Sequence, residues 1–359
     1  MGTTPRFRRR ADFNPLERNE FRSTTKGRIT FPGRTTIVPE VVVWKWVVPE
    51  VVVWQWVVFS ALVAVLLMLD LLVFHRHDRA PTLRESVGWT VFWIGVAVAF
   101  NGLVWWWRGP EQALAFLSGY VVEKALSMDN VFVFAVIFGF FRVPLMYQHR
   151  VLYWGILGAI FLRLAFVLAG VQLIHHFEWV LPLFGLLLIY TAFRLALHAD
   201  SEVHPEKNPM LRLARRFLRV SRGDHGQHGH AFFAREGGRL CITPLFLVLI
   251  VVESSDVVFA VDSIPAIFGI TTDPFIIFTS NIFAILGLRA LYFVLAGVIE
   301  MFRYLHYGLS AVLGFIGLVM VGDWWFGAKL LPTWAKLLVI AVLLVVSVAA
   351  SLAVGKKEK

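Results

Sequence analysis

Long apolar runs, separated by short polar or basic stretches, follow one another along the chain from about residue 51 onward. A helix that spans a bilayer needs about 20 mostly apolar residues, so this pattern predicts nine transmembrane helices. Their approximate ranges are 51–74, 87–107, 112–138, 151–174, 179–197, 242–268, 274–298, 305–321 and 334–354. Trp and Tyr cluster at several ends, as they do at membrane interfaces. The sequence therefore predicts an all-α polytopic membrane protein.

Two of the apolar runs carry acidic residues at depths where charge is costly. The first motif lies at Val122–Phe132 and the second at Val252–Pro265. Their five acids are Glu123, Asp129, Glu253, Asp256 and Asp262. A carboxylate inside a bilayer usually faces the interior of the helix bundle, where it serves an ion or proton path. These five residues are the strongest indication of function in the sequence.

The two acidic motifs belong to a longer internal repeat. Ser127–Phe132 matches Ser254–Phe259, and Leu162–Val171 matches Leu288–Val298 at nearly the same offset, with one extra residue. Predicted helices three to five therefore repeat as helices six to eight. Because the members of each matching pair are three helices apart along the chain, the two copies enter the membrane from opposite sides. Such a 3+3 inverted repeat is common in secondary transporters, whose site lies near the midplane between the copies.

The pattern divides the chain into six segments. They are a basic, disordered N-terminal extension with a Trp-rich tandem repeat (1–50), two peripheral helices (51–111), the first three-helix repeat (112–197), a basic, His-containing loop (198–241), the second repeat (242–321), and a last helix with a basic tail (322–359). The tandem repeat is either an interfacial anchor or a duplication that extends the first helix. Arginines in the long loop and lysines at the C-terminus place both on the cytoplasmic side.

Composition and charge narrow the class of protein. Hydrophobic residues make up 58% of the 359 and charged residues only 16%, whereas soluble domains have about 25% charged residues. The net charge of +10 lies in the tails and loops, which fits a membrane surface rather than nucleic acid. One cysteine, Cys241, excludes an intramolecular disulfide and a Cys-rich metal site. No P-loop or enzymatic motif is present, so we expect neither ATP coupling nor catalysis.

The second motif contains a proline that affects how its acids are presented. On a regular helix Glu253 and Asp256 share a face while Asp262 points elsewhere. Pro265 would release the carbonyl of Val261 from its helical hydrogen bond. A helix broken around Asp262 would let the three acids converge and would add backbone carbonyls as ligands. Irregular backbone of this kind is tolerated where it lines a cavity.

The donor atoms of both motifs are oxygens, which favours Mg²⁺, Ca²⁺ or Mn²⁺ over zinc or copper. Asp129 and Asp256 are repeat mates that we expect to face one central site. Asp262 corresponds to Ala135 in the first copy, so the site should be asymmetric. The predicted cation ligands are Asp129, Asp256, Asp262, Glu253, Glu123 and Asn130.

Further polar residues are candidates for a supporting shell or an ion path. These are Ser127, Met128, Ser254, Ser255, Ser263, Lys124, Arg163, Arg289, Asp70, Asn101 and Asn281. Met128 offers a thioether that would favour Mn²⁺, or it is a packing residue. The basic residues among them could instead neutralise the acids through internal ion pairs. The tract Asp224–His230 either collects metal or is a solvated loop.

The residues of both motifs resemble the signatures of the TerC family of bacterial membrane proteins. They are EKALSMDNVF at Glu123–Phe132 and ESSDVVFAVDSIPAI at Glu253–Ile267, which Thr271–Ile276 and Ser280–Arg289 continue. The chain is most similar to the Alx branch, in length and in its first helix at Met68–Asp70. An N-terminal extension to about residue 57 departs from that branch.

The resemblance implies a multi-pass protein of the bacterial inner membrane that exports divalent cations, chiefly Mn²⁺, with Ca²⁺ or Mg²⁺ as other substrates. It places the family's acidic positions on the five acids named above. Alternating access with proton antiport is the expected mechanism. A second hypothesis is a non-transporting scaffold for metal or tellurite resistance, or for metallation of exported proteins. We expect no organic cofactor and no nucleic-acid partner.

Overall fold

The computed structural model describes residues 28–31, 34–37, 50–74, 82–197, 206, 208–221, 229, 231–236, 238–295 and 305–355. Their elements are β1 (Arg28–Phe31), β2 (Arg34–Ile37), α1 (Glu50–Phe74), α2 (Leu83–Arg108), α3 (Pro110–Phe140), α4 (Leu145–His176), α5 (Val180–Leu197), α6 (Pro209–Phe217), β3 (Phe233–Glu236), β4 (Arg239–Ile242), α7 (Pro244–Phe268), α8 (Pro274–Leu286), α9 (Leu288–Leu295), α10 (Leu305–Phe326) and α11 (Thr333–Gly355). The chain forms two compact units, residues 1–66 and 67–359.

The first unit contains the antiparallel β1–β2 hairpin and the start of α1. The hairpin lies within the segment that composition predicts to be disordered, and its register pairs Arg28 with Ile37. The second copy of the tandem repeat forms the first turns of α1 from Glu50 onward, in keeping with a duplication that extends the first helix. The first copy of the tandem repeat, the tract Asp224–His230 apart from Gly229, and the C-terminal lysines lie outside the described residues.

The described helices confirm an all-α polytopic membrane protein. Seven of them, α1, α2, α4, α5, α7, α10 and α11, are long and apolar enough to cross a membrane. The bent pair of α8 and α9 would make an eighth span. The 31-residue α3 carries Glu123, Lys124 and Asp129, and the predicted total of nine spans stays a prediction. Several helices are longer than predicted. At α2, Thr82 and Glu85 form a reciprocal capping box, which lets the helix begin at Leu83 rather than at residue 87.

The helices of the second unit pack in pairs that match the predicted repeat. In that repeat α3 corresponds to α7, α4 to the α8–α9 pair, and α5 to α10. If the two copies are equivalent, the contact of α3 with α8 should have a counterpart in the contact of α7 with α4. Both contacts are present. The α3–α7 and α5–α10 contacts, each of which joins a helix to its own repeat mate, are present as well. The inverted repeat itself, including the opposite membrane orientation of its copies, stays a prediction.

The apolar core of this unit surrounds α7 with two main clusters. One includes Phe138 and Val248 and joins α3, α4, α7 and α9. The other includes Leu188, Ile267 and Val312 and joins α5, α7 and α10. The two clusters enclose α7, which carries three of the five acids, on more than one side.

Helix α7 is continuous, so the expected break around Asp262 is wrong. Pro265 lies inside the helix, which continues to Phe268, and the amide of Gly269 donates to the carbonyl of Pro265. A proline so near the C-terminal end removes only one helical hydrogen bond. The buried side chains Ile264 and Ile267 hold the last turns in place.

The break in the second copy instead falls between α8 and α9, which meet at 43°. Gly287 occupies the junction. A Cβ atom there would lie 2.9 Å from Lys124 Nζ and 3.1 Å from Trp93 Cβ. A larger residue at this junction would displace the Lys124 side chain of α3 and crowd Trp93 of α2. The predicted single helix 274–298 is therefore two helices.

Candidate functional site

The acids predicted to converge are divided between two places around α7. Asp129 and Asp262 line one cavity, while Glu253 and Asp256 line another. Glu253 and Asp262 are nine residues apart, which puts them on opposite faces of a regular helix. The described residues contain no group of three or more His, Cys, Asp or Glu side chains placed to hold a metal ion.

The first cavity, which we call the α3–α7 cavity, has a volume of about 60 Å³. Its polar lining residues are Asp129, Asn130, Thr191, Asp262 and Ser263. The hydroxyl of Thr191 on α5 donates to Asp262 Oδ1 at 2.9 Å. Asn130 is buried, whereas both aspartates keep partial exposure. Helices α3 and α7 thus each present one carboxylate to a shared space.

The α3–α7 cavity has the donors and the room for a hard cation. Two carboxylates, an amide and two hydroxyls offer oxygen ligands. Because about 10–15 Å³ suffices for one water molecule, the cavity admits an ion that keeps part of its water shell. The rest of the lining is apolar and includes Leu126, Leu195 and Leu309. No Lys or Arg is among the described residues that line it.

A buried ion-pair cluster centred on Arg163 holds two of the other acids. Arg163 donates to the carboxylate of Glu123 and to the side-chain oxygen of Asn281. Its Nη2 lies 3.5 Å from Asp256 Oδ1, and its Nη1 lies 3.4 Å from Ser263 Oγ. All five side chains are buried. The alternative of internal ion pairing therefore describes Glu123 and Asp256, and Asp256 does not share a cavity with its repeat mate Asp129.

The repeat mate of Arg163 has a partner outside the repeat. Arg289 Nη2 lies 2.7 Å from Asp70 Oδ1 at the end of α1. Lys124 donates to the backbone carbonyl of Ala284 at 3.2 Å. These two basic residues thus tie Asp70, near the end of α1, and α3 to the broken α8–α9 pair.

The remaining candidates take mostly structural positions. Met128 packs with apolar side chains. Ser254 and Ser255 both donate to the carbonyl of Val251, and Ser254 also accepts from Asn208 at 2.8 Å. Two other buried polar atoms, the hydroxyl of Ser127 and the side-chain oxygen of Asn101, have no hydrogen-bond partner among the described residues.

Sequence reasoning missed Thr191. Threonines are frequent in apolar helices, and no spacing or motif marks this one. Its role follows only from the packing of α5 against α7. The weak available signal was a hydroxyl in an otherwise apolar helix.

Comparison with known proteins assigns the family. Residues 108–359 match the Integral membrane protein TerC family. The chain belongs to the TerC family. The match covers both acidic motifs and every residue of the α3–α7 cavity, and it confirms the resemblance seen in the sequence. The N-terminal extension lies outside it.

Two of the relatives share nearly half of their aligned residues with this chain. An uncharacterized membrane protein of Myxococcus xanthus is 49% identical over 295 residues, covering 82% of this chain and 90% of the relative. The protein named "Putative membrane-bound redox modulator Alx" of Escherichia coli K12 is 47% identical over 272 residues, covering 73% and 84%. These relatives confirm the similarity to the Alx branch. No solved structure matches the chain.

Proposed function

We propose that this protein exports a divalent cation, chiefly Mn²⁺, across the bacterial inner membrane, and that the α3–α7 cavity binds the cation. The observation that carries the proposal is the meeting of Asp129 and Asp262 in one cavity, each from a different copy of the repeat. Two carboxylates balance the charge of one divalent ion. In this proposal the long loop and the C-terminus are cytoplasmic. Because the protein exports the ion, the ion enters the cavity from the cytoplasm.

The residues around the two carboxylates have supporting roles. The Thr191 hydroxyl fixes the orientation of Asp262 through its hydrogen bond. Asn130 adds a neutral oxygen ligand. Because the ligands come from α3 and α7, movement of one repeat copy against the other would open the cavity to alternate sides.

The donor atoms favour hard cations as a class, and the preference for Mn²⁺ comes from the family resemblance. Met128 packs among apolar side chains, so its thioether is not offered to the cavity. Mg²⁺ and Ca²⁺ are therefore the competitors against which selectivity should be measured.

Flux measurements on the purified full-length protein in liposomes test the proposal. We expect Asp129→Asn and Asp262→Asn to abolish Mn²⁺ flux, because each leaves one negative charge to hold a divalent ion. Thr191→Val should weaken Mn²⁺ binding by about 10–100-fold, as the loss of a ligand-orienting group does. Glu111→Gln is the matched control, since Glu111 is an exposed acid on the same helix as Asp129.

Two results would contradict the proposal. One is wild-type protein that moves no Mn²⁺ in liposomes, and the other is flux in both aspartate variants equal to that of wild type. Absence of flux together with partner binding that survives in the variants would favour the scaffold hypothesis.

A further inference from the structure

Glu253 occupies a second cavity on the face of α7 that is opposite to Asp262. Its carboxylate lies directly against Gly158 of α4, where a Cβ atom would be 2.1 Å from Glu253 Oε1. The carboxylate therefore fills the space that a side chain at position 158 would need. The cavity around it is also lined by Asp256 and has a volume of about 10 Å³. We call it the α4–α7 cavity.

The groups around the α4–α7 cavity carry more negative than positive charge. The charged groups that face it and the adjoining ion-pair cluster are Glu123 from α3, Arg163 from α4, and Glu253 and Asp256 from α7. The neighbouring polar groups are neutral: Asn208, which caps the N-terminus of α6, donates to Ser254, and Asn281 of α8 accepts from Arg163. Helix α9 contributes the apolar Leu288 to the cavity. The α4–α7 cavity and the adjoining ion-pair cluster together contain three carboxyl groups and one guanidinium, and the guanidinium pairs with two of the three.

Full ionisation of Glu123, Glu253 and Asp256 would leave two negative charges uncompensated within the span, because Arg163 supplies only one positive charge. Asp256 is only 4% exposed, and its Oδ2 has no hydrogen-bond partner among the described residues. Uncompensated charge at this depth costs several kcal/mol. A proton on one of the carboxyl groups removes part of that cost, and Glu253 is the acid without an ion pair among the described residues.

A metal ion fits the α4–α7 cavity poorly. Its volume is close to that of a single water molecule, and Arg163 already holds Asp256 and repels a second cation. A proton needs no space and no coordination shell. The two cavities therefore differ in ligand: a hard cation in the α3–α7 cavity and a proton in the α4–α7 cavity.

We propose that Glu253, which lines the α4–α7 cavity together with Asp256, is the proton-coupling site of the transporter. A proton adds to a Glu253 carboxylate oxygen to give a neutral carboxyl, and it later leaves from the same oxygen; no electron moves. This proposal rests on the proposed cation transport. The two sites are linked through Ser263, which lines the α3–α7 cavity and lies 3.4 Å from Arg163 Nη1, and through α7 itself.

Proton flux and cation exchange, measured separately on the full-length protein in liposomes, test this site. In wild type a Mn²⁺ gradient should drive proton movement, read by an entrapped pH dye. Glu253→Gln should lose Mn²⁺-driven proton movement while keeping Mn²⁺ binding within about 2-fold and keeping Mn²⁺–Mn²⁺ exchange. Asp262→Asn should lose binding and exchange. If binding and exchange fail in wild type, the cation-transport proposal fails; if they hold and Glu253→Gln still moves protons at the wild-type rate, only the coupling site is wrong.

Gly158→Ala tests the location of the site without changing any charge. The added methyl displaces the Glu253 carboxylate, so proton movement per Mn²⁺ should fall at least several-fold. Gly102→Ala on α2 is the matched control, because a Cβ atom there meets nothing within 4 Å, and it should behave as wild type. Wild-type coupling in Gly158→Ala, or a sodium gradient that drives Mn²⁺ as well as a pH gradient does, would overturn the proposal.

Discussion

Replacing Arg163 by Gln is expected to destabilise the protein by about 3–5 kcal/mol, the cost of breaking a buried ion pair from one side. Arg163 is 1% exposed and is the counter-ion of both Glu123 and Asp256. Without it, two buried carboxylates lose their compensating charge. The free energy of unfolding in mixed micelles, or the melting temperature in detergent, measures the loss.

Removing all the charges of the ion-pair cluster together should restore the stability that Arg163→Gln loses. In the triple variant Arg163→Gln, Glu123→Gln, Asp256→Asn the charges disappear together while the shapes are kept, and stability should return to near wild type. Arg108→Gln is the matched control. Its ion pair with Asp273 is 3.0 Å long but about a quarter exposed, so its loss should cost about 1 kcal/mol or less. An Arg163→Gln protein as stable as Arg108→Gln would contradict the assigned role.

The sequence predicts the helices and the acids but not how the acids are divided. Apolar runs of membrane length identify the spans, and the cost of buried charge marks the acids as candidates for a function. Which acids share a cavity depends on the rotation of α7 and on the helices that pack against each face. Sequence spacing places Glu253 and Asp262 on opposite faces; the expected break at Pro265 was the step that wrongly brought them together.

The two arginines of the internal repeat have different partners. Arg163 and Arg289 occupy equivalent positions in matching sequences. However, Arg289 forms an ion pair with Asp70, which belongs to α1, outside the repeat. The corresponding place beside Arg163 is filled by Glu123, Asp256 and Asn281 from within the repeat. A repeat predicts equivalent backbone positions. It does not predict which side chains the surrounding helices place beside those positions.

A single added methyl group at the contact of α5 with α10 should also lower the free energy of unfolding. Gly185 and Gly317 bring the two backbones together: a Cβ atom on Gly317 would lie 2.6 Å from the carbonyl oxygen of Gly185 and 3.1 Å from the amide nitrogen of Ile189. Small residues allow such close approach between membrane helices. Because backbone atoms cannot rotate away, a larger residue forces the helices apart.

Gly317→Ala is therefore expected to destabilise the protein by about 1–3 kcal/mol, as overpacking does, and to weaken Mn²⁺ binding, since α5 carries Thr191, which orients Asp262. Gly314→Ala is the matched control on the same helix. A Cβ atom at Gly314 makes only an ordinary contact, 3.5 Å from Ala192 Cβ, and should stabilise the helix by about 0.4–1 kcal/mol. Unfolding free energies and Mn²⁺ titrations of both variants measure the difference. Because the clash is with backbone, equal stability of the two variants would mean that α5 and α10 do not approach at these glycines.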